Sequence, residues 1–316
     1  MSIEIAALLR NSRRFYKWAL DLFLTARLAG HRLTAVICFL TKKDEDRMCE
    51  FCSKHGEGKI WYMNASNYAQ DLLSDLRRRQ YIENFLTVTF SKGFQTLGRL
   101  EAVYKKKGRI PKSIASSVVG KAKEEHFGQV LPIEEISAVV SQAMTVVRMP
   151  CACRWNMGKK EEQCCYAISY GPEPWYNGID MSYFGKAPNE GLDASSPGAA
   201  IEQMAEMETR GAVHTIWTMM TPFIGAICNC SAEECLAMRT LSRTGVKTLE
   251  RAEYVARIDE SLCTGCGLCD VRCQFRAITS ISNGGGPLAR INPHKCFGCG
   301  LCRRACSTKA ISLVLR

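Results

Sequence analysis

The chain has 316 residues, of which 47% are hydrophobic and 23% charged, so it is long enough for two or three domains and lacks the composition of a disordered protein. Its formal net charge is +11. No aromatic-interleaved basic motif accompanies that charge, so nucleic-acid binding is not expected. Charged residues (Lys17, Asp21 and Arg27) interrupt the apolar residues near the N-terminus, so no secretory signal is predicted. The 18 cysteines therefore favour a reduced, cytoplasmic protein with metal–thiolate sites over a disulfide-bonded one.

The first sixty residues are predicted to be mostly helical. Residues 1–32 combine an apolar and a basic face, which would suit either contact with an anionic membrane surface or packing on the rest of the protein. Residues 33–40 are predicted to form a buried strand, and this apolar stretch is too short to span a bilayer, so no transmembrane segment is expected. Cys49 and Cys52 form half of a zinc-type motif, with structural cysteines as the alternative.

Residues 1–145 are predicted to form a mixed α/β scaffold domain. Short apolar segments such as residues 85–90 alternate with predicted helices over 111–127 and 132–144, each of which begins with a proline. The region contains no Walker A loop, no strand-linked G-x-G-x-x-G and no H-E-x-x-H, so nucleotide-binding and zinc-protease functions have no support.

Residues 146–250 form a predicted cysteine-rich module. A strand is expected up to Pro150, a helix from Ser196 to Gly211, and a strand over residues 212–217. Ser231 followed three residues later by a glutamate is a capping-box pattern, so a helix is predicted to begin at Ser231. Cysteines near that helix N-terminus would be stabilised as thiolates, or as ligands of an anionic cluster, by the amide groups and the helix dipole.

Seven cysteines of this module are candidate ligands of one metal or redox site. They are Cys151, Cys153, Cys164, Cys165, Cys228, Cys230 and Cys235. Four ligands suffice for a cubane and a non-cubane cluster can use more, so a third Fe–S cluster is one interpretation and a zinc ion the other. Free cysteine is also among the most frequently buried residue types, so packing alone is the alternative for any single one. His214 is a candidate proton donor or metal ligand, or a structural residue.

Three short motifs carry a resemblance across this module: Cys151-Ala-Cys153-Arg154, Gly211-Ala-Val-His214 and Ile227-Cys228-Asn-Cys230. They resemble the cysteine-rich module that precedes a two-cluster ferredoxin domain in a group of Fe–S proteins from anaerobic bacteria and archaea. Members of that group often continue the last motif with further cysteines, whereas here four residues intervene before Cys235. The resemblance implies an anaerobic redox role and no specific substrate.

The third predicted domain, residues 251–316, contains two cysteine runs with the spacing C-x2-C-x2-C-x3-C, placed 33 residues apart. This spacing is typical of chains that hold [4Fe–4S] clusters. The flanking Ala-Arg-Ile and Ala-Ile segments recur at the same offset, so strand, cluster loop, helix and strand are predicted to occur twice. Four glycines are expected to allow tight turns and close approach of the backbone to bound clusters: Gly265, Gly267, Gly298 and Gly300.

Residues 255–316 resemble the bacterial two-[4Fe–4S] ferredoxin domain. The resemblance implies that the fourth cysteine of each run ligates the cluster of the other run. One implied ligand set is Cys263, Cys266, Cys269 and Cys306, and the other is Cys296, Cys299, Cys302 and Cys273. The family usually has proline after the fourth cysteine, whereas Gln274 and Ser307 stand here. Each adds an N–H group and a polar side chain, which are expected to raise a cluster potential.

The sequence therefore predicts an α+β protein in which a ferredoxin-like domain with two [4Fe–4S] clusters follows a mixed α/β region and a cysteine-rich module. Residues 251–316 contain ten Lys or Arg against four Asp or Glu, which favours a module built into a larger protein or an acidic redox partner. The first functional hypothesis is an oxidoreductase-type relay of single electrons to the cysteine-rich site. The alternatives are a non-enzymatic electron-transfer subunit of a larger oxidoreductase, and an Fe–S redox or metal sensor.

Overall fold

The structure is a computed structural model that describes residues 61–159, 162–178, 193–282 and 286–316. All of them belong to one compact unit of the chain. The predictions for residues 1–60, which include the basic helix, the short strand and the Cys49 and Cys52 pair, lie outside the described residues. Within the described part, no helix is both long and apolar enough to cross a bilayer.

The helices largely follow the start signals in the sequence. Those of the described residues are α1 (Leu76–Glu83), α2 (Phe90–Lys107), α3 (Lys112–Glu125), α4 (Ile133–Gln142), α5 (Ala152–Trp155), α6 (Pro197–Thr209), α7 (Leu236–Thr244), α8 (Leu268–Arg272) and α9 (Leu301–Arg304). Pro111 and Pro132 are the N-cap residues of α3 and α4. Ser196 caps α6, where its hydroxyl accepts a hydrogen bond of 3.2 Å from the Ala199 N–H. These helices are present where the sequence predicts them.

Residues 85–90 are helical, in contrast to the short apolar segment that the sequence predicts. A π-helical turn over Phe85–Thr89 runs directly into α2. Gly108 ends α2 with a left-handed backbone (φ 67°), which glycine adopts without the steric penalty of a side chain. Apolar composition alone does not distinguish a strand from a buried helical turn, and this segment shows that ambiguity.

One six-stranded antiparallel sheet forms the centre of the fold. Its strands are β1 (Gly128–Val130), β2 (Thr145–Pro150), β3 (Gln163–Ser169), β4 (Asp193–Ser195), β5 (Val213–Thr218) and β6 (Ile224–Cys230). They lie in the order β1-β5-β6-β3-β2-β4, and every neighbouring pair is antiparallel. Every residue of β5 is buried, because helices cover both faces of the sheet. Helices α4 and α6 contact one face, while α2 and α3 lie across a cavity from the other.

The sheet crosses the boundary predicted at residue 145. Strand β1 precedes that boundary, yet it pairs with β5 from the cysteine-rich module. Residues 61–145 and 146–250 therefore share one sheet instead of forming separate domains. The antiparallel arrangement makes the architecture α+β.

The C-terminal region has four strands in two separate pairs. They are β7 (Tyr254–Ile258), β8 (Ile278–Ser282), β9 (Pro287–Ile291) and β10 (Ile311–Leu315). Strand β7 pairs with β10, β8 pairs with β9, and both pairs are antiparallel. The region is joined to the rest of the chain by polar contacts to α4, because the Tyr254 hydroxyl donates to Glu135 over 2.5 Å and Arg303 pairs with Glu134.

The helix predicted at Ser231 begins five residues later. Helix α7 starts at Leu236 with Cys235 as its N-cap, and residues 231–234 form a turn. In this turn the Ser231 hydroxyl donates to the Glu234 carboxylate over 3.0 Å. That carboxylate also pairs with Arg154 and Lys159, so it does not cap a helix as the pattern predicts. Cys235 is therefore at the helix N-terminus and not one turn inside it.

Candidate metal centres

Two small cavities in the C-terminal region are each lined by four cysteines. We call Cys263, Cys266, Cys269 and Cys306 the first quartet, and Cys273, Cys296, Cys299 and Cys302 the second quartet. Each quartet combines three cysteines of one run with the fourth cysteine of the other. The structure therefore brings together the two crossed sets that the ferredoxin resemblance implies, and thiolate sulfur is the donor that iron–sulfur clusters use.

Glycines in the cysteine loops are required by the backbone that passes beside them. Gly265 and Gly298 have left-handed backbones, with φ of 68° and 70°. A Cβ atom at Gly265 would lie 2.0 Å from the Pro287 carbonyl oxygen, and one at Gly298 would lie 2.1 Å from that of Tyr254. Both loops therefore fit only with glycine, and the tight approach is to a neighbouring strand. Gly267 and Gly300 are the N-caps of α8 and α9.

The two quartets differ in exposure. Cys266 of the first quartet is exposed, and the nearby Val271 is 85% exposed. Cys296 and Cys302 of the second quartet are buried, and burial raises the pKa of the Cys302 thiol to about 12. A buried thiol that resists ionisation is expected to become a thiolate only when a bound cation compensates the charge. The first quartet therefore faces solvent more than the second.

The seven cysteines of the central region meet at one end of the six-stranded sheet. Cys151 and Cys153 lie at the end of β2 and in α5, Cys164 and Cys165 lie in β3, Cys228 and Cys230 lie in β6, and Cys235 caps α7. Cys165 is directly opposite Cys228 in the β3–β6 register. Residues two apart on a strand share a face, so Cys230 projects to the same side as Cys228. We call this group the seven-cysteine site.

The sulfur atoms of the seven-cysteine site form one connected set. The Sγ atoms of Cys151, Cys164 and Cys165 all lie within 4.8 Å of one another. Thiol hydrogen bonds extend the set from Cys151 to Cys153 and from Cys165 to Cys228. Further thiol hydrogen bonds join Cys235 to both Cys153 and Cys230. The closest three sulfurs are near enough to one another to be ligands of one metal ion.

Donors favour the thiolate form at Cys151 and Cys235, whereas neighbouring thiols and burial raise the pKa of the other five cysteines. Hydrogen bonds from Cys153, Cys164 and Cys165 lower the pKa of Cys151 well below its ordinary value. The Arg154 guanidinium donates to the Cys164 sulfur. The Leu236 backbone N–H, at the start of α7, donates to the Cys153 sulfur over 3.3 Å.

Cys235 gains further support from its own helix. Hydrogen bonds from the Cys153 and Cys230 thiols lower its pKa, and the backbone N–H groups of Ala237 and Met238 add to the effect. This is the helix-terminus environment that the sequence predicts for these cysteines, although the helix begins later. Cys151 and Cys235 can therefore hold negative charge in the seven-cysteine site and attract a cation, whose binding would favour ionisation of the other thiols.

His214 is close to the site but does not line the cavity there. Its ring is buried, and Nδ1 lies 2.7 Å from the Asn229 side-chain oxygen, while the Asn229 amide donates to the Cys164 carbonyl over 2.9 Å. Burial lowers the pKa of His214 to about 4, so the ring is neutral at pH 7. Its Nε2 atom has no hydrogen-bond partner among the described residues. Through its contact with Asn229, His214 helps to hold β5 and β6 in place beside Cys164.

His126 lies beside the site although no sequence pattern indicates it. Its ring stacks on Trp217 with centroids 4.5 Å apart, and Nδ1 lies 2.7 Å from the Thr218 carbonyl oxygen. Burial lowers the pKa of His126 to about 4. The ring lines the same cavity as six of the seven cysteines, and only the folded sheet brings it there.

Gln274 joins the second quartet to the seven-cysteine site. This residue directly follows Cys273, and its side-chain amide donates to the Gly211 carbonyl. Its side-chain oxygen accepts from the Ala232 N–H, in the turn between Cys230 and Cys235. The sequence predicts that this polar side chain tunes a cluster, whereas the structure gives it two backbone partners in the neighbouring module. Ser307, at the equivalent position of the other run, is exposed.

Comparison with known proteins identifies the C-terminal region. No curated protein matches the chain. A family model described as the 4Fe-4S dicluster domain matches residues 256–313, which contain both quartets. The chain therefore contains a ferredoxin-type iron–sulfur domain, which supports a role in electron transfer with a redox partner.

Proposed function

We propose that this chain relays single electrons between a partner protein and a third Fe–S centre held by the seven-cysteine site. The first and second quartets would each hold one [4Fe–4S] cluster, in the crossed sets described above. Bound clusters of this type supply one-electron chemistry. The reduced thiols and the ferredoxin-type domain suit a cytoplasmic protein of anaerobic metabolism.

The bridge made by Gln274 is the observation that carries the proposal. Gln274 directly follows a second-quartet ligand, and one hydrogen bond joins it to the turn that links Cys230 to Cys235. A free ferredoxin has no need of such a link. The bridge fixes the second quartet against the seven-cysteine site, as a relay within one chain requires.

The first quartet suits exchange with an external partner. Around its cysteines, Leu262, Leu268 and Val271 are 49%, 51% and 85% exposed. Exposed apolar side chains beside a redox centre suit a transient protein contact. Residues 251–316 carry an excess of basic side chains, so we expect an acidic redox protein as the partner.

The number of sulfurs favours a polynuclear centre over a single zinc ion. Structural zinc is almost always bound by four ligands in a closed tetrahedral site. Here seven thiols form one connected set, and the three beyond four would have no role around one ion. A non-cubane Fe–S centre can use more than four thiolates, and it would accept the electrons that the rest of the chain delivers.

Anaerobic metal analysis of the reconstituted full chain tests the proposal. Three clusters predict about twelve iron per chain, and two predict about eight. Cys165→Ser and Cys235→Ser should each lower the iron content while the two ferredoxin-type clusters remain visible by electron paramagnetic resonance. Ser231→Ala is the matched control, because its hydroxyl contacts Glu234 and no thiol. About eight iron per chain with one zinc, or cysteine variants with unchanged iron, would refute the third Fe–S centre.

A further inference from the structure

A cavity of about 360 Å³ opens beside the seven-cysteine site. The proposed electron relay does not require this cavity. Six of the seven cysteines line one end of it: Cys151, Cys153, Cys165, Cys228, Cys230 and Cys235. The opposite wall is formed by the π-helical turn and by helices α2 and α3. Its volume falls within the range of about 300–1,000 Å³ that is typical of small-molecule sites.

The walls of this cavity are mainly apolar and aromatic. Phe85 and Phe90 pack edge-on against His126, with ring centroids 4.8 and 5.6 Å away. Trp217 stacks on the same histidine, and Leu97 and Leu100 of α2 complete this side. Since burial keeps the His126 ring neutral at pH 7, it belongs to the uncharged surface. Such walls favour an apolar ligand through the hydrophobic effect.

The charged side chains around the cavity leave no unpaired buried cation for an anionic ligand to neutralise. Arg154 pairs with Glu234 over 2.5 Å. Lys121 pairs with Glu125 over 3.7 Å, and 70% of the Lys121 side chain is exposed. Lys92 is exposed to solvent. An anionic ligand would lose its hydration without gaining an unpaired buried cation among the described residues, which is unfavourable.

We infer that this cavity binds an uncharged, largely apolar small molecule against the seven-cysteine site. Binding follows from the shape and chemistry of the cavity. The idea that the bound molecule exchanges electrons with the site rests on the proposed function. The two ideas can be tested separately, because binding does not require a third metal centre to be present.

The matched variants lie next to each other on α3. Val118 lines the cavity, whereas Val119 is equally half-buried on the same helix and does not line it. Val118→Trp should therefore fill space in the cavity, and Val119→Trp should not. Ala122→Leu is a milder filling variant, with Ala115→Leu of the same helix as its control, so the test survives if a tryptophan variant fails to fold.

Equilibrium dialysis under anaerobic conditions provides the measurement, with naphthalene as the uncharged probe and 2-naphthoate as its anionic analogue. We expect saturable binding of naphthalene to the full chain and to Val119→Trp, and binding weaker by about tenfold or more in Val118→Trp. We expect 2-naphthoate to bind about tenfold or more weakly than naphthalene. Absent saturable binding, equal binding by the two valine variants, or equally tight binding of 2-naphthoate would overturn the inference.

The iron content of the same samples separates this inference from the proposed function. A chain with about eight iron that still binds naphthalene in the expected pattern would refute the third Fe–S centre and leave the cavity site standing. A chain with about twelve iron that binds no naphthalene would do the reverse.

Discussion

Replacement of Gln274 by alanine tests whether the second quartet is held against the seven-cysteine site. The substitution removes one hydrogen bond to the Gly211 carbonyl and one from the Ala232 N–H. Each bond contributes about 0.5–1.5 kcal/mol net, so the loss is about 1–3 kcal/mol in total. A change of about 1–3 kcal/mol corresponds to a factor of about 5–150 in the equilibrium between the joined and separated arrangements.

Hydrogen exchange at the Ala232 amide is the direct readout. This N–H has its acceptor in Gln274, so Gln274→Ala should speed its exchange by about 5–150-fold in the peptide that spans residues 231–235. The rate at which electrons leave the reduced second quartet for the seven-cysteine site should fall in the same variant. Ser307→Ala is the matched control, because Ser307 occupies the equivalent position of the other run and is exposed.

Two results would refute this reasoning. Unchanged exchange at Ala232 in Gln274→Ala would mean that the bridge does not hold the two modules together. Faster exchange with an unchanged electron-transfer rate would mean that the bridge is structural only and that electrons do not follow it. Similar behaviour of Ser307→Ala and Gln274→Ala would show that the effect comes from altering a residue beside a cluster.

Three further predictions, two of them with a control variant, concern residues that support the sites. Arg154→Gln should lower the free energy of unfolding by about 3 kcal/mol and reduce iron in the seven-cysteine site, because its side chain is only 13% exposed and donates to a carboxylate and a sulfur. Arg210→Gln, whose ion pair is exposed, should change the unfolding free energy by about 0.5 kcal/mol or less. In chemical denaturation, Gly265→Ala should be far more destabilising than Gly267→Ala; both have positive φ, but only Gly265 faces a carbonyl oxygen, and equal effects would contradict the steric argument. Burial lowers the pKa of His214 from 6.5 to about 4, so the unfolded chain takes up the proton first. The contribution of neutral His214 to the free energy of unfolding is complete above about pH 6.5, and it falls by about 1.4 kcal/mol per pH unit between pH 6.5 and 4. In denaturation measured across that range, His214→Leu should remove this dependence of the unfolding free energy on pH.

The grouping of the C-terminal cysteines in the structure agrees with local signals in the sequence. The cysteine spacing and the glycines act over a few residues and predicted the cysteine loops with their tight turns, whereas the two crossed quartets were implied by the resemblance to the two-[4Fe–4S] ferredoxin domain. The sequence alone does not determine that the seven cysteines lie together. Cys165 lies opposite Cys228 because two strands far apart in the chain pair with each other. Pairing partners of antiparallel strands depend on the whole fold, which no motif of four residues specifies.

Some features of the structure differ from local sequence patterns because contacts between distant parts of the chain determine them. Ser231 and Glu234 match a capping box, yet Glu234 is drawn to Arg154 and the helix starts later. No sequence pattern indicated that the Gln274 side chain, which is predicted to tune a cluster, also bonds to the neighbouring module. The cavity and His126 had no sequence signal at all, because their walls come from α2, α3 and the sheet, which meet only in the folded chain.

The two cysteine runs give an internal comparison that supports a direction for the proposed relay. Leu268 and Leu301 occupy equivalent positions 33 residues apart, yet Leu268 is 51% exposed and Leu301 is 2% exposed. Since the local sequences are nearly the same, the difference comes from what surrounds each run. Val271 beside the first quartet is exposed, while Gln274 beside the second is bonded to the cysteine-rich module. Electrons from a partner would therefore enter at the first quartet and leave through the second, toward the seven-cysteine site and its apolar cavity.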